Sequence, residues 1–182
     1  MWAKRELEFF VFYAIMNAGI NRVRYIMAKL LISKFFNIRI IGDTDFINAT
    51  KKALDLIRTS DSEMWSMVSK YVGIITSSEK SGMKAWTNSP VFEVGLATSE
   101  SDSYWYASSI CHDAYHSKLY NDYYEKHGDV PDNIWTGRHA ENLCIDVQIK
   151  FLEKINAPKE DIQYLKKMKH VDYFSNYNAR DW

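Results

Sequence analysis

Two cysteines, Cys111 and Cys144, are all that this 182-residue chain contains, too few for a disulfide framework. They are not in a CxxC spacing, which sets aside a structural zinc knuckle. Net charge is missing as well: 23 basic residues balance 23 acidic ones, so no overall field draws the chain toward nucleic acid or acidic lipid. Neither a Gly-rich phosphate loop, an internal repeat nor a low-complexity stretch is present, which leaves nucleotide chemistry without support. Long hydrophobic runs are lacking too. The most apolar stretch, within residues 7–20, has about 13 uncharged residues against the ~20 that cross a bilayer.

What is present is apolar mass. With 47% hydrophobic and 15% aromatic residues, the chain can bury one substantial core, and a single main domain is the natural count. Charge is uneven along it, since Lys4, Arg5, Arg22, Arg24, Lys29 and Lys34 face only Glu6 and Glu8 in residues 1–36. We read residues 3–34 as one long or two shorter amphipathic helices packed on the core or on a partner, with attachment to a membrane surface as the lesser reading. Residues 1–36 therefore form an N-terminal segment and residues 37–182 the domain proper. The expected location is intracellular and soluble, with membrane association as the alternative.

Residues 37–41, rich in isoleucine and ending at Gly42, have strand character. Asp43, Thr44 or Asp45 caps a helix reaching about Arg58, and Ser60-Asp61-Ser62 starts another. On the latter, Met64, Met67, Val68, Tyr71, Val72 and Ile75 make an apolar stripe that packs in the core. Residues 77–82 read as a turn, and residues 83–86 and 91–96 as a hairpin around Thr87-Asn88-Ser89-Pro90. Helices follow over residues 105–126, 137–152 and 159–170.

The segment Ile110-Cys111-His112-Asp113-Ala114-Tyr115-His116-Ser117 carries the chemistry. Histidines four apart on a helix project from one face and can grip one metal ion. A third donor lies downstream, where Glu141, Cys144, Ile145, Gln148 and Leu152 recur at helical spacing. Glu141 thus shares an inward stripe with small and apolar residues, and a carboxylate there needs a cation or a donor. His139, two residues earlier, points about 160° away around the helix. It ranks behind Glu141, as does Asp146. The two cysteines read as small buried hydrophobes.

A helix with H-[E/D]-x-x-H, a connection of a few dozen residues, and a helix with Glu, a small residue and then Gln resembles the gluzincin branch of the zincin-like metallopeptidases. The resemblance covers roughly residues 38–165. It implies a small, mainly helical α+β domain, with a small sheet or hairpin and a metal-binding helix pair. It also implies one zinc ion held by His112, His116 and Glu141, with a fourth position for water and Asp113 in the general-base position. Asp113 departs from the family pattern, which has glutamate there. The activity so implied is hydrolysis of peptide bonds in a peptide or protein substrate, with a weak or inactive zinc-binding module as the alternative. Residues 91–96 take the role of the edge strand lining the substrate cleft. For the oxyanion-stabilising group there are many candidates, among them Tyr104, Tyr106, Tyr115, Tyr120, Tyr123, His170, Tyr173 and Tyr177.

Overall fold

Residues 31–169 are described by a computed structural model, and they form a mainly helical α+β fold around one small mixed sheet. Strands β1 (Leu31–Phe35) and β2 (Ile38–Gly42) are joined by a two-residue turn, which only an antiparallel return can use. Helices α1 (Thr44–Ser60) and α2 (Ser62–Tyr71) cross over to β3 (Ile74–Ser77), and β4 (Gly82–Lys84) and β5 (Val91–Val94) follow. The strand order is β1-β2-β3-β5-β4, with β2, β3 and β5 parallel and β4 antiparallel on the edge. In register, Ile40, Ile75 and Phe92 lie side by side on one face, all fully buried. Leu54 and Ile57 of α1 and Val68 of α2 close over that face in the main core.

The remaining elements are α3 (Leu96–Ser99), α4 (Ser103–His127), α5 (Asp132–Trp135), α6 (Gly137–Lys154) and α7 (Lys159–Met168). Aspartates start the three helices that matter most for the core. Asp43 accepts from the Phe46 N–H, Asp61 from those of Glu63 and Met64, and Asp102 from those of Tyr104 and Trp105. Each satisfies donors that the first turn would otherwise leave orphaned. Helix α4 stops at Gly128, whose φ of 76° lies in the left-handed region that glycine tolerates best. Gly137, with φ of 79°, makes the sharp entry into α6.

Three expectations are corrected. Residues 31–34 are strand, not the end of a helix, because β1 pairs beside β2. The apolar stripe of α2 ends at Tyr71, where the Val72 N–H closes on the Val68 carbonyl, and Ile75 belongs to β3. The strand of residues 91–94 is interior to the sheet, and β4 holds the edge position. The helical reading of residues 3–30, and His170, Tyr173, Phe174 and Tyr177, lie outside the described residues. Among the described residues, no helix is long and apolar enough to cross a membrane.

Candidate metal centre

Helix α4 has two buried faces of opposite chemistry. Tyr106, Ala107, Ile110, Cys111 and Ala114 enter the main core with the sheet, α1 and α2. Ser108, His112 and His116 meet α6, the most extensive partner of α4. The spacing of four places the two imidazoles one turn apart, with ring centroids 4.9 Å from each other.

Hydrogen bonds fix the tautomer of both rings. His116 Nδ1 lies 2.6 Å from the Trp135 carbonyl, which can only accept, so Nδ1 carries a proton and Nε2 is the nitrogen that can give up its proton to a cation. His112 is set by a longer chain of the same logic. The Ser108 hydroxyl donates to the Trp105 carbonyl at 2.8 Å, and its oxygen receives the Gln148 Nε2–H at 3.0 Å. Gln148 therefore presents Oε1 to His112 Nδ1 at 3.1 Å, and that nitrogen must donate. Partners of this kind orient metal-binding histidines and settle which nitrogen remains free.

The two Nε2 atoms face each other at 3.1 Å, a hydrogen-bond distance at which one of them can donate a proton to the other. Glu141 brings its carboxylate to the same point, with Oε2 3.3 Å from His112 Nε2 and Oε1 3.6 Å from His116 Nε2. Two lone pairs and a carboxylate so placed repel unless a cation or proton lies among them. Imidazole nitrogens bound to one zinc at ~2.0–2.1 Å with tetrahedral angles stand roughly 3.3 Å apart, close to the spacing here. The donor set also suits zinc in kind. Burial pushes the Glu141 carboxyl up, but His112 and then His116 outweigh it and hold the group well below the usual carboxylate range. Burial likewise lowers His116, and the nearby Cys144 and Glu141 outweigh it, setting the imidazole well above its usual value. Positive charge is thus drawn to the point of convergence.

Asp113 is partly buried beside the pair, and its carboxylate takes no hydrogen bond or ion pair among the described residues. Burial pushes it up to about 6, with His112 and His116 pulling the other way. His139 and Asp146 are exposed, and Lys169 pairs with Asp146 at 2.6 Å. Tyr106 is turned into the core, its hydroxyl 2.7 Å from Thr50 Oγ1. Cys111 is likewise a core residue, whereas the Cys144 Sγ lies within 4.8 Å of ligand nitrogens of His112 and His116.

The Trp135 carbonyl is held in place by its own ring, which packs edge-on against Trp86 at 5.6 Å and Tyr120 at 5.4 Å. These three rings, with Val130 and Gly137, line an open cleft of about 620 Å³ bordering the histidine pair through Trp135. Trp86, two residues beyond edge strand β4, is 55% exposed. Sequence reasoning missed the Trp135 carbonyl and Ser108, since a backbone acceptor leaves no side-chain pattern to read. It also gave Cys144 an apolar role, although its spacing of three from Glu141 places it on the same side of α6. No protein-family model matches the chain, and no curated protein or solved structure matches it either.

Proposed function

We propose that this chain is a zinc-dependent peptidase of the zincin-like kind, holding one ion through His112, His116 and Glu141. The observation that carries the reading is the pair of imidazoles each anchored through Nδ1, with their Nε2 atoms 3.1 Å apart and facing the Glu141 carboxylate. A structural role alone would leave such a set sealed. Here the His112 and Glu141 side chains keep 17% and 25% of their surface exposed. When bound, zinc supplies Lewis acidity and a water acidified toward pKa ~7.

The chain's own residues do the rest. Trp135 and Gln148 hold the imidazoles in register, so that metal-binding geometry exists before the ion arrives. Asp113 accepts a proton from the attacking water on its carboxylate and returns it to the leaving amine nitrogen. The cleft at Trp86, Tyr120 and Trp135 receives an apolar side chain of the peptide.

The second reading is a zinc-binding module with little or no turnover, favoured by one observation: aspartate stands one methylene short of the usual glutamate. A displacement of ~1 Å costs on the order of a hundredfold in rate. Metal analysis of the purified protein and of His112→Ala is the first test. One equivalent of zinc in the wild type and its loss in the variant are expected, and metal-free wild type after growth in zinc would end both readings. Hydrolysis of a peptide mixture that disappears in Asp113→Asn at equal zinc content is the peptidase result; inactivity of wild type and Asp113→Glu alike is the module result.

A further inference from the structure

The two cysteines are both fully buried and free, yet their surroundings differ. Cys111 sits among the apolar residues of the main core. Cys144 comes from the same helix as Glu141, one turn further on, and its Sγ and the ligand nitrogens of His112 and His116 all lie within 4.8 Å of one another. A zinc–sulfur bond is ~2.3 Å long, so only a small adjustment of the Cys144 side chain separates this arrangement from ligation.

We propose that Cys144 is a fourth protein ligand, completing a centre of two imidazoles, one carboxylate and one thiolate, so that the resting site is closed by its own chain and water enters the fourth position only when it displaces the thiolate. The proposal rests on the metal reading above and adds to it the question of what fills the remaining position. On ligation the S–H bond breaks, its proton passes to solvent and the Sγ–metal bond forms, with no change of oxidation state. Three protein ligands would leave water in the fourth place, as catalytic zinc sites do, whereas four make a closed tetrahedron. Thiolate also biases the centre toward zinc, cobalt or cadmium over the hard ions magnesium and manganese.

The test is Co²⁺ loading of the full-length chain, read in the near-ultraviolet, where sulfur-to-cobalt charge transfer absorbs, together with measured cobalt stoichiometry. Wild type and Cys111→Ala should each bind one equivalent and show the band. Cys144→Ala, or Cys144→Ser if the smaller residue disturbs packing, should retain cobalt and lose the band. One equivalent of cobalt that depends on His112, with no charge-transfer band in the wild type, overturns the thiolate and leaves the three-ligand site standing. Absence of any cobalt binding overturns both.

Discussion

Helix α4 carries two buried polar constellations that solve the same problem in opposite ways. Toward the core, the Tyr106 hydroxyl meets Thr50 Oγ1 at 2.7 Å, and Thr50 donates in turn to the Phe46 carbonyl at 2.7 Å. Every donor there has an acceptor, and the chain closes on the backbone. Toward α6, the Nδ1 donors of His112 and His116 are likewise consumed by Gln148 and Trp135, but the two Nε2 atoms and a carboxylate converge on one point, with more acceptor sites than the protein has protons to fill. A closed pair stabilises a fold, while surplus acceptors in one place ask for a cation. The difference is one of electron-pair bookkeeping, since both groups lie on the same helix.

The comparison breaks if damage to the core disturbs the proposed metal site. Leu54 is fully buried beneath the sheet face, so Leu54→Ala should cost about 2–5 kcal/mol through lost burial and the cavity left behind. Denaturant melts would show the loss, and the fraction still folded should carry its full equivalent of zinc. Depletion of zinc in step with stability would tie the site to the core more closely than the packing suggests.

The reciprocal substitution is Gln148→Leu, which fills similar space but takes away the acceptor that fixes His112 and the donor to Ser108. A lost supporting hydrogen bond of this kind weakens metal affinity about 10–100-fold. Competition with a chelator would measure it, alongside a stability loss of about 1–3 kcal/mol for the stranded His112 N–H. Unchanged affinity would mean that the His112 ring is held by something other than Gln148.

Local chemistry and a 3.6-residue period make several of these features legible in the amino-acid sequence: the aspartate caps at Asp43 and Asp61, the helix bearing His112 and His116, and the inward face of Glu141. Short apolar segments are where that reading fails. Val72 and Ile75 continue the stripe of α2 on paper, yet Gly73 lies between them, and the strand they introduce takes its identity from β2 and β5, residues far off in sequence. Residues 31–34 mislead similarly, since four residues suit either period and the pairing with β2 decides. Within the site, His112, His116 and Glu141 are brought together as their spacing suggests, while Cys144 could not be assigned a donor's role because burial alone describes Cys111 equally well.

A smaller effect is expected at the closed pair itself. Tyr106→Phe removes one hydroxyl from a fully buried ring and leaves Thr50 still bonded to the Phe46 carbonyl, so no acceptor is stranded at a charged site. The loss should be about 1 kcal/mol, the net worth of one hydrogen bond, with zinc content and affinity unaltered. A change in affinity would show that the two faces of α4 communicate.

The smallest expected effect concerns Asp61, a buried carboxylate that contrasts with Asp113 as the Tyr106 pair contrasts with the histidines. Burial pushes both carboxyls up. At Asp113 it prevails, whereas at Asp61 the N–H groups of Met64 and Glu63 and the Lys154 ammonium at 3.0 Å outweigh it and leave the group below its ordinary range. A carboxyl with a depressed folded-state pKa adds stability that is complete above its unfolded value, about 3.9, and disappears as pH falls through the folded value. Wild type should therefore lose stability on acidification below about pH 4, with part of that slope due to Asp61. Asparagine caps a helix about as well as aspartate, so Asp61→Asn keeps the N–H acceptors and gives up only the charge. Lys154 is 47% exposed, so the loss at neutral pH should stay below about 1 kcal/mol. The acid limb of the stability curve should flatten in the variant while zinc content stays at one equivalent. A loss of several kcal/mol at neutral pH, or an acid limb identical to wild type, would assign the stabilisation to groups other than this capping carboxylate.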